Sequence, residues 1–301
     1  MSNDPARDAA LQLDAHQHFW RVDRGDYHWM TPEIGVLHRD YGPADLAPLL
    51  ASHRIAGSVL VQAAQTAAET AFLLDIASRT PFVAGVVGWV DLANASAHAE
   101  IERLAGEPLV VGLRPMVQDI PDDDWLVRAD VSDAVRTLQR CGLVFDALVL
   151  PRHLPRLLVF LDRHPGLPVV VDHGAKPFIA NRVLDPWRAD MAAVAARPNT
   201  TCKISGLATE AKPDWAVADL RPYVEHLLQV FGPDRLMWGS DWPVVNRAGG
   251  YDVWRQASEA LLDSLSVRER SRIFGATAAR VYLTARGRRH IGTATPPGPA
   301  D

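Results

Sequence analysis

Short apolar runs rich in Val, Ile and Leu alternate with amphipathic, Ala/Leu-rich segments along almost the whole chain, and no linker interrupts the alternation. Strands are expected near residues 11–19, 58–62, 83–90, 110–114, 143–149, 169–173, 200–205 and 236–240. Most are nearly continuous apolar runs, as parallel strands covered on both faces require. The pattern predicts helices near 45–53, 67–78, 97–104, 131–140, 152–163, 186–196 and 220–230, with two more near 253–262 and 267–283. Asp130 to Asp133 offer N-cap groups for the fourth helix, and Gly142 stands just past its end. Eight strands, each followed by a helix, match an α/β fold of the (β/α)8 TIM-like barrel type, distorted or regular, with extra C-terminal helices. The competing open, doubly wound sheet would normally carry a Gly-rich phosphate loop after an early strand, and no G-x-G-x-x-G occurs here. A single barrel domain is therefore expected over 1–301, with an ordered core of about 11–284 and flexible tails at 1–10 and 286–301.

Composition narrows the class of partner. The chain has 301 residues, 48% hydrophobic and 22% charged, which is enough to bury a sizeable core. A net charge of -5 with both signs interspersed gives no footing for nucleic acid or an acidic membrane surface. No apolar stretch reaches the ~20 residues needed to span a bilayer, and the polar start lacks the form of a signal peptide. The two cysteines, Cys141 and Cys202, are far apart and support neither a disulfide framework nor a CxxC metal knuckle. A cytoplasmic protein acting on a small molecule is the expectation, as a monomer or homodimer.

In a barrel of this type the chemistry sits at the C-terminal ends of the strands. The first expected strand ends in His16-Gln17-His18, and alternate strand residues face one side, so the two imidazoles share one space. Such a pair is half of a divalent-metal site, or a polarising pair without metal. The fourth strand ends in Arg114, the sixth in Asp172-His173, the seventh contains Lys203, and the eighth runs into Gly239-Ser240-Asp241-Trp242-Pro243. Asp241 alone reads equally as an N-cap or an Asx-turn, and His173 as a hydrogen-bonded strand end. Convergence of His16, His18, His173 and Asp241 on one mouth would give three imidazoles and a carboxylate, a set suited to one Zn2+ with a position left for water.

Zinc lowers the pKa of bound water from about 15.7 to about 7, and Asp241 could take the water proton and return it to a leaving oxygen. Arg114, Lys176 and Lys203 are candidates to hold a developing oxyanion. A lysine in an apolar strand is costly unless paired, so Lys203 is expected to point into the polar mouth. Trp20, Trp29 and Trp242 stand beside these residues and could wall a sugar pocket, while Trp89, Trp187, Trp215, Trp238 and Trp254 read as packing. The loop through Tyr27-His28-Trp29 is long enough to shape that pocket.

From Leu13 to Tyr282 the chain resembles the amidohydrolase superfamily (amidohydrolase-2 type), in its sugar-lactone hydrolase branch nearest the L-fuconolactone hydrolases. The motifs are Asp14-Ala15-His16-Gln17-His18-Phe19-Trp20, Val61-Gln62-Ala63, Glu69-Thr70, Val87-Gly88-Trp89-Val90-Asp91-Leu92, Gly112-Leu113-Arg114, Asp172-His173 with Lys176-Pro177, Cys202-Lys203-Ile204-Ser205-Gly206-Leu207 and Gly239-Ser240-Asp241-Trp242-Pro243. The resemblance implies hydrolysis of a ring ester in carbohydrate catabolism. By motif match it implies His16, His18 and His173 as the strand-end histidines, with Asp241 as general base and Arg114 as a carbonyl or carboxylate contact. No lysine ends the fourth strand, so the carbamate bridge of a two-metal site is missing. At most one metal is expected, zinc being the first choice, and catalysis without metal stays open. The alternative on the same barrel is hydrolysis or decarboxylation of a pyrone or aromatic dicarboxylate, which would call for paired cationic clamps.

Overall fold

Residues 11–284 are described by the computed structural model, and the tails expected at 1–10 and 286–301 lie outside them. Eight strands pair in parallel and in chain order: β1 Leu13–Gln17, β2 Gly57–Val61, β3 Val83–Gly88, β4 Val110–Leu113, β5 Val144–Ala147, β6 Val169–Val171, β7 Thr200–Ile204 and β8 Leu236–Trp238. The segment after β8 returns to β1. The Asp241 N–H donates to the His16 carbonyl at 2.8 Å and the His18 N–H to the Trp242 carbonyl at 2.7 Å, which closes the barrel. Every expected strand is present. Most observed strands are shorter than the predicted runs, whose C-terminal ends continue into loops at the mouth.

The helices are α1 Pro43–Ser52, α2 Ala67–Ser78, α3 Ala97–Gly106, α4 Ala129–Arg140, α5 Leu154–Arg163, α6 Trp187–Ala195, α7 Val217–Phe231, α8 Tyr251–Leu261 and α9 Val267–Ser271. Helix α2 starts where the Thr66 hydroxyl accepts the Glu69 N–H at 3.0 Å, the ordinary side-chain cap. At α4 the expectation needs correction. Arg128 holds the cap position, and Asp130 lies inside the first turn, where its carboxylate accepts the Val131 N–H at 2.9 Å and favours the positive helix end. The helix expected over 267–283 is also divided: α9 is short, and wider π-turns follow at Arg272–Ala276 and Ala279–Leu283. There Gly275 packs onto the backbone of Leu11 with no room for a Cβ, and Tyr282 and Leu283 reach the barrel interior.

Two apolar regions hold the fold. One lies between barrel and helices; the other fills the barrel with Leu13, Val59, Val61, Val87, Val111, Val144, Val170 and Met237, closed by Tyr282 and Leu283. Each fully buried aliphatic chain is worth about 1.5–3 kcal/mol against exposure. Strand β1 carries one irregularity that positions the site. Asp14 pairs with Ser58 and Gln17 with Leu60, so three steps on β1 match two on β2. That extra residue is a β-bulge, and it reverses which side chains face inward. Leu13 and Ala15 fill the barrel below it, whereas above it His16 and His18 turn inward and approach each other.

Candidate active site

The histidines at the mouth are presented by two different backbone devices. His16 and His18 follow the β1 bulge, and their Nε2 atoms lie 3.2 Å apart. His173 is not on a strand: β6 stops at Val171, and His173 to Lys176 form a left-handed turn with φ of 52°, 56°, 59° and 50°. Asp241 is left-handed as well, at φ 57°. Left-handed backbone costs L-residues roughly 1–2 kcal/mol each, and such strain persists only where surrounding contacts impose it. Here the Trp187 indole donates to the Gly174 carbonyl at 2.7 Å, and Gly206 lies so close that a Cβ would stand 2.6 Å from His173 Nδ1. Gly239 likewise leaves room for His16, whose Cβ would be 2.7 Å from an added methyl.

Around the Asp241 carboxylate the three imidazoles converge. Oδ1 lies 3.4 Å from His18 Nε2, 3.7 Å from His16 Nε2 and 3.9 Å from His173 Nε2. Burial opposes ionisation of Asp241, but the facing His173, His18 and His16 outweigh it and hold the carboxyl well below the usual range. Burial lowers His173 to about 4, and burial reinforced by the Lys203 charge puts His16 well below its ordinary value. At neutral pH the floor therefore holds an ionised carboxylate and two neutral imidazoles, His16 and His173. His18 Nδ1 lies 2.8 Å from the Val61 carbonyl and His173 Nδ1 2.8 Å from the Ser205 hydroxyl, so each ring is oriented by its outer nitrogen.

Above this floor opens a cavity of about 520 Å³, lined by His18, His173, Asp241, Arg114, Trp20, Trp29 and Lys176 among others. Trp29 is fixed by its indole N–H, which donates to the Ala63 carbonyl at 2.8 Å. Arg114 is buried, with Nη1 3.3 Å from Asp172 Oδ2 and Nη2 on the Gln62 carbonyl, while its Nε has no partner among the described residues. Lys176 stands 3.6 Å from Glu210. Two of the expected contacts lie elsewhere. Lys203 is wholly buried below His16, paired with Asp146 at 2.7 Å and Asp172 at 2.9 Å, because only carboxylates inside the barrel compensate its desolvation. Trp242 is also buried and packs edge-on against Phe19 and Tyr41 behind the cavity wall. Cys202 is enclosed and burial pushes its thiol up, away from the nucleophilic form.

Several residues of the site carry weak sequence signals. Asp146 sits in an apolar strand and takes the Tyr282 hydroxyl at 2.7 Å as well as Lys203; a charge in such a run was the available clue, since its partner must also be buried. Glu69 accepts the backbone N–H groups of Ala63 and Ala64, two cavity residues, and burial raises its carboxyl to about 7. Asp26, His28 and Arg247 complete the wall from loops whose course periodicity does not reveal.

The donors suit one divalent ion. His16, His18 and Asp241 offer ligand atoms that all lie within 4.8 Å of one another, and His16, Asp172 and His173 form a second such group. Imidazole nitrogen with carboxylate oxygen is zinc-type chemistry. In neutral His18, donation from Nδ1 leaves the Nε2 lone pair facing the site.

The amidohydrolase family model matches residues 13–283. An L-fucono-1,5-lactonase of Burkholderia ambifaria is 46% identical over 276 residues, covering 90% of this chain and 95% of the relative. Another L-fucono-1,5-lactonase, from Burkholderia multivorans, is 42% identical over 91% of this chain and 96% of its own length. A crystal structure of an amidohydrolase from Burkholderia multivorans with bound zinc superposes with a TM-score of 0.85 at 40% identity, covering 91% of this chain and 99% of that one. The match spans the barrel and every residue of the mouth described above, and the chain belongs to the amidohydrolase family.

Proposed function

We propose that this protein is a lactonase that opens a sugar lactone such as L-fucono-1,5-lactone to its aldonic acid. The observation that carries the reading is an ionised Asp241 ringed by three imidazoles on the floor of a cavity. The two L-fucono-1,5-lactonases at 46% and 42% identity support the substrate class. Asp241, as general base, takes a proton from a water as its oxygen attacks the lactone carbonyl. His173 and the Arg114 guanidinium face the developing oxyanion, with His18 beside them; placed donors of this kind are worth about 2.7–4 kcal/mol each in related chemistry. As the ring C–O bond breaks, the protonated Asp241 returns its proton to the leaving oxygen, giving a hydroxy acid and restoring the carboxylate. Trp29 and Trp20 offer flat walls for the ring, and Lys176 stands at its edge.

His16, His18 and Asp241, with His173 beside them, would hold one divalent ion. Bound there, zinc would supply Lewis acidity to the carbonyl and acidify water from about 15.7 to about 7. The dicarboxylate alternative needs cations free to clamp two carboxylates, whereas Arg114 and Lys176 already face Asp172 and Glu210. We extend the reading to a cytoplasmic enzyme of carbohydrate catabolism, monomeric or homodimeric, supported by the sugar-lactone substrate class of the two relatives. No helix among the described residues is long and apolar enough to cross a membrane. The test is acid release from a panel of five- and six-carbon sugar lactones, before and after chelation. Turnover of L-fucono-1,5-lactone above the spontaneous rate is expected; no turnover on any member would sink the proposal.

A further inference from the structure

Lys203 has no access to substrate, yet it touches the site through one atom. Its ammonium donates to Asp146 Oδ2 at 2.7 Å and to His16 Nδ1 at 3.2 Å, and forms an ion pair with Asp172 Oδ1 at 2.9 Å. An ammonium only donates, so Nδ1 of His16 accepts. A neutral imidazole carries one N–H, which leaves the proton on Nε2. The nearest acceptor there is Nε2 of His18 at 3.2 Å, free as a lone pair because His18 Nδ1 donates to the Val61 carbonyl. Every donor then finds an acceptor along the line from Lys203 through His16 to His18. The opposite tautomer would aim an N–H at the Lys203 ammonium 3.2 Å away, with Asp172 Oδ1 farther off at 3.5 Å. Arg114 Nη1 lies 3.3 Å from His16 Nε2, but it has Asp172 Oδ2 at the same 3.3 Å and does not need the lone pair.

We propose that Lys203 is a positioning residue that sets the tautomer of His16, so that His16 presents an N–H to the site rather than a lone pair. In the reaction this rests on the lactonase reading: His16 then steadies His18 and the attacking geometry around Asp241. An ion taking Nε2 of His16 would require that proton to move to Nδ1, where Asp172 Oδ1 is the receiver. Lys203 therefore also sets how readily His16 becomes a ligand.

Long-range proton–nitrogen NMR of the metal-free protein reads the tautomer directly. In the wild type His16 is expected to be protonated on Nε2 and bare on Nδ1. Lys203→Met alone strands two buried carboxylates, so the informative variant is Lys203→Met with Asp146→Asn, which removes one charge of each sign. It is expected to melt within a few degrees of wild type, to lose the Nε2–H signature of His16, and to lower kcat at least 30-fold with KM within threefold. A His16 protonated on Nδ1 in the wild type would overturn the proposal. So would a folded double variant that keeps both the wild-type tautomer and the wild-type kcat. Should the double variant fail to fold, the wild-type spectrum decides alone. Should the wild type open no lactone, the lactonase reading falls while the nitrogen spectrum still decides the role of Lys203.

Discussion

Two polar layers lie one above the other inside this barrel, and they are built on opposite terms. In the lower layer Asp146, Lys203, Asp172 and Tyr282 are sealed, and each charge meets its counterpart within 2.9 Å. In the upper layer His18, His173, Asp241 and Arg114 face the cavity, contacts to Asp241 are longer at 3.4–3.9 Å, and Arg114 Nε has no partner among the described residues. The lower layer spends its hydrogen bonds on holding groups in place. The upper layer keeps donors and acceptors unspent for a ligand, on backbone held in left-handed conformations at His173 and Asp241. His16 and Arg114 connect the two, each touching Asp172 below and the imidazoles above.

The contrast can be broken from either side. Lys203→Met should cost about 3–5 kcal/mol in denaturant melts, the penalty for leaving buried charge uncompensated; a loss under 1 kcal/mol would mean the lower layer is not the ion network described. Arg114→Met should lower kcat about 100-fold, consistent with losing one oxyanion donor, and steady-state kinetics showing only a KM change would place Arg114 in binding alone. Gly206→Ala adds a Cβ 2.6 Å from His173 Nδ1 at a positive φ, and should cost about 1–3 kcal/mol by overpacking while displacing His173 and reducing kcat. Tyr282→Phe removes a hydrogen bond to Asp146 and should cost about 1–2 kcal/mol with kcat within threefold; a large kcat loss would show that the layers are coupled more tightly than drawn.

Acid sharpens the same comparison. His173 titrates at about 4 in the fold and near 6.5 when unfolded. The unfolded chain therefore binds more protons between these values, so this contribution to stability is complete above about pH 6.5 and declines as pH falls toward 4. Activity should be flat from pH 8 to about 6 and fall below 5 as His173 takes up a proton. A pH-rate profile breaking near 6.5 instead would mean that His173 is more solvated than its burial implies.

Much of this was legible from residue order. Most of the eight strands follow from nearly continuous apolar runs, and α2 spans the 67–78 that the apolar spacing predicts. That His16 and His18 share a side was expected from simple alternation; the bulge adds that Leu13 and Ala15 share the barrel interior too, which alternation alone forbids. The direction of Lys203 was not legible, because its partners come from strands 57 and 31 residues earlier in the chain. Nor was the position of Trp242, since an aromatic beside a site residue is equally placed to pack behind it. The left-handed turn at His173 has one clue, Gly174, and three L-residues that give none.

The proposed role of Asp241 in opening a sugar lactone stands or falls on one paired measurement. Acid release from L-fucono-1,5-lactone would be followed in a pH-stat for the wild type and for Asp241→Asn, each checked for an unchanged melting curve. Turnover by the wild type is expected, with a loss of roughly 10³-fold or more in kcat for the variant, the scale on which removal of an essential acid–base group acts. Equal turnover by two equally folded proteins would contradict that role.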